Sequence, residues 1–414
     1  MRTLMDLPME ILHAVVQEVS PQNVGCAETW SPCAATCCGN AIVSLSRLSK
    51  TCKTFRGVAQ PRLFRYFFQP EPFSLLDILC SRPDLAAYVQ SMCVGMDWYT
   101  DGDHCSSSES TVYNSLLKTH FEDGDATRLL LCTENSEDDT EEAFAALAIA
   151  QASNIKRLTI VECRWQFPIY RQGSLPYLTQ LELSSNATEG GVELDSIRGI
   201  LAAAPSLRIF TGYGVDGVLN QVFHGNLSTV ELNWSALDYK SFRSMACAFP
   251  GMETLSYLSD GNTEEATPYQ MSKALHARRM TLKRLSIHLE TPHARARNQS
   301  EVIRTLNQME FLEELELDST AIYCPGRTTH GRLFSTLLPH SIRSLGISSP
   351  HINIACDLLF LAEVASSRFP QLRLIRFDDI SDSMWCDLEP AFRLQNIECR
   401  RERLFTGDWE INHT

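Results

Sequence analysis

Four cysteines near the N-terminus are the side chains of this sequence with the most obvious chemistry. The stretch GCAETWSPCAATCCGN places Cys26, Cys33, Cys37 and Cys38 within thirteen residues, and closely spaced thiolates are typical zinc ligands. The spacing repeats no C-x₂-C pair, however, and no histidine lies among the four cysteines. We therefore interpret the region of about residues 21–41 as a flexible insertion, and we predict no zinc site and no cofactor.

A second group with metal-binding chemistry is Asp101, Asp103 and His104, in DGDHCSSSES. The composition of this stretch is typical of an exposed loop. The acidic stretch ENSEDDTEE, residues 134–142, is typical of a solvated segment, and its last residues favour the N-terminus of the predicted helix AFAALAIAQA. The sequence therefore predicts no metal site in either segment.

Common enzyme motifs are missing from the sequence. It contains no phosphate-binding glycine loop, no G-x-S-x-G, no H-E-x-x-H and no C-x-x-C. No nucleophile and base are placed so that their spacing requires a catalytic role. We therefore expect a protein without catalytic activity of its own.

Charge and hydropathy narrow the class of partner. The net charge of −14 argues against a broad nucleic-acid-binding surface. No apolar run approaches the length of a membrane span, and Asp6, Pro8 and Glu10 interrupt the apolar segment that a signal peptide would need. We expect a cytoplasmic or nuclear protein, or one found in both compartments, with neither nucleic acid nor membrane as its partner.

Nine hexamers with an L-x-x-L-x-L pattern are the elements that would position a functional surface. They begin at Ile155, Leu178, Leu207, Leu227, Met252, Leu282, Leu312, Ile342 and Leu372. The last five start 30 residues apart, and such regularity is typical of a repeat protein. Alternating apolar and polar residues predict a half-buried strand in each hexamer, and a further strand is predicted at 88–94. Helical patterns lie between hexamers at 267–280, 300–311 and 353–369.

These units resemble leucine-rich repeats. The resemblance implies an α/β repeat fold, a solenoid with strands lining one wall and helices the other. The units of 30 residues are slightly long for the family, and they lack its asparagine after the third leucine. We therefore expect a divergent leucine-rich-repeat array over 155–400.

The first 68 residues predict a small helical unit. MDLPMEILHAVVQEV predicts an amphipathic helix over 5–19 that Asp6 caps. A second helix is predicted from the spacing of Ile42, Leu45, Leu48, Cys52 and Phe55, with its end near Gly57 and a new segment from Pro61. Little more than a dozen large apolar side chains make this unit marginal alone, so we expect it to dock on another surface.

The order Leu7-Pro8-x-Glu10-Ile11, an apolar helix and then LSRLSKTCKTFRGVAQPRLFR resembles the F-box of fungal F-box proteins. The resemblance implies docking on a Skp-type adaptor and, through it, on a cullin–RING ubiquitin ligase. The adaptor-binding residues that it implies are Leu7, Pro8, Glu10, Ile11, Leu12, Val15, Leu45, Leu48 and Leu63. The repeats would then bind a protein substrate, and the chain would be a non-catalytic subunit of the ligase.

Polar residues between the leucines of the hexamers are expected to point out from the strand wall and to bind the substrate. The candidates are Glu182, Glu231, Arg284, Ser286, His288, Glu314, Glu316, Asp318 and Arg376. A local basic cluster could bind a phosphorylated partner, although helix-end and loop charges are the simpler interpretation. The cluster comprises Arg278, Arg279, Lys283, Arg284, Arg295, Arg297 and Arg304.

Two other classes of protein stay open at this point. In a leucine-rich-repeat scaffold without a ubiquitin-ligase role, the N-terminal helices would merely cap the array. In a (β/α) barrel enzyme, polar residues at the strand ends would form one site; they are Asn186, Asn233, Asp260, Glu290, Asp318 and Asp378. We divide the chain into an F-box-like unit (1–70), irregular first repeats with the acidic loop (71–154), the repeat array (155–400) and a C-terminal cap or tail (401–414).

Overall fold

The computed structural model describes residues 8–20, 32–67, 72–95, 110–122, 124–127, 129, 137–161, 167–168, 170–185, 191–217, 219, 223–261, 265–289, 300–324, 332–350 and 354–404. The chain divides into two compact units. The first comprises Met1–Val161, Phe167–Leu181 and Ala202–Ser206. The second comprises Glu162–Gln166, Glu182–Leu201 and Leu207–Thr414.

The first unit begins with three helices, α1 (Met9–Val19), α2 (Pro32–Thr51) and α3 (Lys53–Leu63). Their shared core consists of Leu12, Val16, Leu45, Phe55, Val58 and Ala59, with Leu48, Cys52 and Leu63 partly buried against it. The predicted amphipathic helix is thus confirmed over its described part. The predicted cap Asp6 lies outside the described residues, and Pro8 precedes the helix without a side-chain cap.

The second predicted helix differs from the structure at both ends. Cys52 is extended, with φ −161° and ψ 168°, and its Sγ accepts a hydrogen bond from the Phe55 amide at 3.4 Å. This cap ends α2 and begins α3, so one predicted helix becomes two. The predicted end near Gly57 is wrong, because α3 continues to Leu63 with Pro61 in its last turn. At the other end, α2 begins at Pro32 and includes part of the predicted insertion.

The rest of the first unit alternates strands and helices. In chain order these are β1 (Tyr66–Phe67), α4 (Pro72–Ser81), α5 (Pro83–Ala86), β2 (Ser91–Gly95), α6 (Ser110–His120), α7 (Glu137–Gln151) and β3 (Arg157–Val161). Strand β2 confirms the strand predicted at 88–94, and it pairs in parallel with β1 and β3. Helix α7 confirms the predicted alanine-rich helix, whose residues 143–150 are all buried.

The later part of the chain carries the remaining strands and helices. The strands are β4 (Gln180–Ser184), β5 (Val192–Glu193), β6 (Ile209–Tyr213), β7 (Val215–Asp216), β8 (Thr229–Ser235), β9 (Thr254–Ser259), β10 (Arg284–His288), β11 (Glu314–Asp318), β12 (Ser344–Ser348), β13 (Leu374–Asp378) and β14 (Glu398–Arg401). The helices are α8 (Arg198–Ala203), α9 (Tyr239–Ala248), α10 (Pro268–Leu275), α11 (Ser319–Ile322), α12 (Leu333–Leu337), α13 (Ala355–Arg368) and α14 (Asp382–Arg393).

All nine hexamers form strands that begin two residues after the hexamer starts. Twelve strands belong to a parallel sheet whose order follows the chain, while β5 and β7 pair separately. This order is linear, and no pairing among the described strands closes the sheet into a barrel. The chain is therefore an α/β protein with an open parallel sheet.

The 30-residue spacing is reproduced in the ladder of the second unit. Strands β9 to β13 pair so that Leu255, Leu285, Leu315, Leu345 and Ile375 lie side by side. The first residue of every hexamer is at most 1% exposed, which explains the leucine-led pattern. Each such side chain contributes roughly 1.5–3 kcal/mol through burial, so the apolar positions set the register.

Two of the three predicted inter-strand helices are confirmed, as α10 and α13. The helix predicted over 300–311 is wrong, because this segment forms turns and extended backbone. The amide of Ile303 donates to the Ala321 carbonyl at 2.8 Å, and that of Leu306 donates to the Leu337 carbonyl at 2.7 Å. These bonds to other segments replace the i→i−4 bonds of a helix. Across the described residues, no helix combines the length and the apolar character needed to cross a membrane.

Candidate protein-interaction surfaces

Helix α1 carries apolar side chains on two of its faces. Leu12 and Val16 are fully buried in the core of the three helices. Met9, Ile11 and Val15 are instead 46%, 46% and 38% exposed; we refer to these three residues as the apolar α1 face. The helical core does not explain this second face, because packing against α2 and α3 uses the opposite side of the helix.

The residues implied to bind an adaptor fall into three groups. Pro8, Glu10, Ile11 and Val15 are exposed and available to a partner. Leu12 and Leu45 are buried, and Leu48 and Leu63 are partly buried, so these four side chains build the core that holds α1 in place. Leu7 lies outside the described residues. Val43 on α2, which the sequence did not single out, is also exposed.

The second unit presents one polar side chain per strand in a continuous row. Strand register places Thr211, Glu231, Ser256, Ser286, Glu316, Gly346, Arg376 and Arg400 side by side on β6 and β8 to β14. We call this set the middle row. Apolar hexamer positions flank each member along its strand and are buried, which makes the middle row part of the opposite, polar face of the sheet.

Glu316 is the centre of a charged network in the middle row. Its carboxylate forms a salt bridge with Arg376 and accepts a hydrogen bond from the Ser286 hydroxyl at 3.3 Å. The Nε2 atom of His288 lies 3.9 Å from the same carboxylate and 2.8 Å from Ser286 Oγ. The Nδ1 atom of His288 lies 3.4 Å from Ser348 Oγ. Four predicted residues, Ser286, His288, Glu316 and Arg376, are therefore brought together.

Gly346 makes the central salt bridge possible. It is the register partner of both Glu316 and Arg376, so those two side chains meet across an intervening strand. A Cβ atom added at Gly346 would lie 2.9 Å from Cγ of Glu316 and 3.1 Å from Cδ1 of Leu404. Any larger residue would displace one of these side chains, so the absence of a side chain serves the contact.

The surroundings of Glu316 keep it ionised. Burial raises the pKa of this carboxyl, but hydrogen bonding with His288, the charge of Arg376, the charge of His288 and the Ser286 hydrogen bond together lower it below its ordinary value. Glu316 and Arg376 are 18% and 19% exposed, which limits screening by water. This pair therefore joins β11 to β13 more strongly than an exposed pair would.

The chain after β14 folds back onto the same face. The Glu402 amide donates to the Phe377 carbonyl at 3.1 Å, and its carboxylate lies 3.7 Å from Arg376. The Leu404 amide donates to the Asp378 carboxylate at 3.4 Å, and the Leu404 side chain covers Gly346. We call Glu402–Leu404 the terminal strap. It covers the polar face at β12 and β13.

The other predicted substrate-binding residues have separate environments. Arg284 and Glu314 form an exposed ion pair at 3.1 Å, which contributes little to stability. Asp318 was expected on the outer face but is buried, because its carboxylate accepts hydrogen bonds from the amide and hydroxyl of Thr320 and caps α11. His288 was also expected to face solvent, and it is buried too. Glu182 is half-buried on β4.

The network around His288 has the residue types of a hydrolase triad but not its accessibility. A triad needs an exposed hydroxyl on one imidazole nitrogen and a carboxylate on the other. Ser286 and Glu316 both approach Nε2, and Ser348, on Nδ1, is buried. In this arrangement the histidine links β10 to β11 and β12, which is a structural role.

The predicted basic cluster is partly neutralised. Lys283 pairs with Glu253 at 2.8 Å, and Arg284 pairs with Glu314. The Arg304 guanidinium lies 5.5 Å from the centre of the Tyr269 ring. Arg295 and Arg297 lie outside the described residues. These contacts favour the interpretation as helix-end and loop charges.

Carboxyl groups also meet at the end of β9. Glu265 accepts hydrogen bonds from the Ser259 hydroxyl and, at 2.9 Å, from the Gly261 amide. Burial and a hydrogen bond with Asp260 raise the pKa of Glu265 to about 8. Burial also raises the pKa of the nearby Asp216. Of the other strand ends, Asp318 and Asp378 have the separate contacts given above, and Asn186 and Glu290 lie outside the described residues.

The described residues include no group of three or more His, Cys, Asp or Glu side chains that could hold a metal ion. Asp101, Asp103, His104 and Cys26 lie outside the described residues, as do the side chains of Cys33, Cys37 and Cys38 and those of the acidic stretch 134–142. No protein-family model and no curated protein matches this chain. A function therefore has to be argued from its residues.

Sequence reasoning missed Gly346, Ser348, Glu402 and Leu404. The 30-residue interval placed Gly346 between Glu316 and Arg376, so counting across units could have revealed the gap that lets them meet. The same count places Ser348 beside Asp318. The sequence offered no comparable signal for the terminal strap, which contacts the face through a change of chain direction.

Proposed function

We propose that this protein is a substrate-recognition subunit of a cullin–RING ubiquitin ligase. Its three N-terminal helices dock on a Skp-type adaptor, and the polar strand face of its repeats binds the target protein. The observation that carries the proposal is the apolar α1 face, which stays exposed while the other side of the helix fills the core. It is joined by the resemblance of this segment to an F-box.

An exposed apolar face on a short helix favours a partner. Met9, Ile11 and Val15 retain roughly 40–50% of their accessible surface, and complete burial of such side chains stabilises an interface by about 1 kcal/mol each, half the value of a fully exposed residue. A helix that served merely as a cap would direct its apolar residues toward the repeats, as Leu12 and Val16 are directed toward the core. The exposed face thus favours the adaptor over the scaffold without a ligase role.

The repeats supply the second half of the proposed role. A leucine-rich-repeat solenoid offers a rigid row of side chains, and its charges can select a partner. The protein does no chemistry in this proposal and requires no metal or cofactor. It raises the effective concentration of the target near the ubiquitin-carrying enzyme, in the cytoplasm, the nucleus or both.

Capture of the purified full chain by a purified Skp-type adaptor tests the proposal. The variant Ile11→Ser/Val15→Ser removes apolar area from the exposed face and leaves Leu12 and Val16 in place. The variant Leu394→Ser is the control, because Leu394 is 82% exposed in the second unit. A further variant, Leu7→Ala/Pro8→Ala, tests the motif that carries the F-box resemblance.

We expect the wild-type chain and Leu394→Ser to be captured equally and Ile11→Ser/Val15→Ser to lose at least about tenfold in affinity. Circular dichroism should show that all variants are folded. Failure of the wild-type chain to bind the adaptor would refute the ligase role. Equal capture of the α1 variant would show that the apolar α1 face is not the docking surface.

A further inference from the structure

The two carboxylates of the middle row have opposite environments. Glu316 contacts Arg376, as described above. Glu231 has no cationic partner among the residues that the structure describes, and its hydrogen bond comes from the Thr211 hydroxyl. Burial raises the pKa of Glu231, and the Thr211 hydrogen bond offsets this only in part. Glu231 is thus a half-buried charge whose desolvation is not compensated within the described chain.

Small side chains next to Glu231 leave room beside its carboxylate. Its register partner on β9 is Ser256, and the partner of Ser256 on β10 is Ser286. Both serines are half-buried. Further along the row, the missing side chain at Gly346 is what allows Arg376 to reach Glu316. The chain therefore already contains one example of a guanidinium that crosses a small residue to a middle-row carboxylate.

We propose that Thr211, Glu231, Ser256 and Ser286 form the part of the polar face that receives a cationic side chain from the bound protein, with Glu231 as its counter-ion. Arginine is the expected residue, by the precedent of Arg376. This inference rests on the proposed function, because it specifies the chemistry of the target that the repeats would hold.

Charge complementarity supports a basic occupant. The chain has a net charge of −14, which attracts basic segments and repels acidic ones. A half-buried carboxylate gains more from a cation than an exposed one, because water screens the pair less. The terminal strap covers β12 and β13, whereas the row from β8 to β10 keeps half-buried polar side chains. The cation is therefore expected at Glu231.

The test measures binding of a fluorescent peptide in which arginine alternates with serine, so that in an extended conformation all guanidinium groups share one face. The matched peptide has citrulline in place of arginine, which keeps the shape and removes the charge. The protein variants are Glu231→Gln and, as a control with the same change in net charge, Glu253→Gln. Glu253 is outside the middle row and pairs with Lys283. A third variant, Ser256→Val, fills the space and changes no charge.

We expect the arginine peptide to bind and the citrulline peptide not to bind. Glu231→Gln should weaken binding about tenfold, the effect of one charge-assisted contact. Ser256→Val should weaken it as well, and Glu253→Gln should stay within about twofold of wild type. Equal losses in Glu231→Gln and Glu253→Gln would overturn the proposal, since they would indicate attraction by net charge alone. Unchanged binding in Glu231→Gln, or no binding by the wild-type chain, would overturn it too.

The outcome is separable from that of the adaptor experiment. Glu231 lies in the second unit and the apolar α1 face lies in the first. Loss of adaptor capture with intact peptide binding would refute the ligase role alone. Intact capture without peptide binding would refute the cation site alone.

Discussion

Replacing Arg376 with methionine would leave the Glu316 carboxylate without its principal cation. Removing one partner of a fully buried pair costs about 3–5 kcal/mol, and an exposed pair contributes about 0.2–1 kcal/mol. Because Glu316 and Arg376 are 18% and 19% exposed, we place the loss for Arg376→Met near the buried limit, at about 2–3 kcal/mol. Methionine retains most of the alkyl volume, so little of this loss comes from packing.

Hydrogen exchange measured by mass spectrometry is the appropriate assay, because it reports local opening free energies in a large chain. Amides of β11, β12 and β13 should exchange about 30- to 140-fold faster in Arg376→Met, the equivalent of 2–3 kcal/mol. Amides of β8 and β9 should be unaffected. The control is Arg400→Met, in the same row, because Arg400 pairs with Glu398 at an exposed site.

A double-mutant cycle with Glu316→Gln isolates the pair. Glu316→Gln/Arg376→Met should be less destabilised than the sum of the single variants, by about 1–2 kcal/mol. The lowered pKa of Glu316 adds a pH test. A depressed carboxyl pKa stabilises the fold above the ordinary range of glutamate, and that stabilisation is lost as pH falls through the folded-state value. The reasoning is refuted if exchange in Arg376→Met matches wild type, or if the two losses are additive.

Three further predictions concern other parts of the molecule. Because the pKa of Glu265 is raised to about 8, its stabilisation is complete below the unfolded value and is lost as pH rises through about 8; thermal melting from pH 5 to 9 should show a smaller decline in Glu265→Gln than in wild type. Tyr257→Phe should cost about 1–3 kcal/mol in urea denaturation, because the buried hydroxyl donates to the Ser235 carbonyl at 2.6 Å and accepts from the Leu237 amide at 3.3 Å; a neutral result would contradict these bonds. On α1, Leu12→Ala should destabilise the first unit by about 2–5 kcal/mol, whereas Val15→Ala should change its stability by less than about 0.5 kcal/mol, as judged by limited proteolysis.

Periodicity made the strands predictable. In each hexamer the leucine-type positions are buried by neighbouring units, so local sequence and tertiary packing favour the same strand. Equal intervals also predicted lateral neighbours, and Glu316 and Ser286 are such a pair. The open sheet and the positions of its central strands therefore followed from the chain alone.

Interactions between distant segments were not predictable in the same way. The apolar spacing over 300–311 favours a helix, yet its amides bond to carbonyls on other segments. The interruption at Cys52 depends on one side-chain cap inside a pattern that continues on both sides of it. At the polar face, the contact of Arg376 with Glu316 depends on a glycine in a third strand. A residue list could name the members of that network but not their pairing.

The equal length of the units from β9 to β13 has a consequence for how this chain can change. Duplication or loss of one complete unit would shift the following strands by a whole position and preserve every ladder pairing. Gain or loss of one residue inside a strand would instead turn its leucines toward solvent. Recombination in whole units is thus a tolerated route by which the row of recognition side chains can grow, shrink or be reordered, while the apolar side of the sheet stays constant.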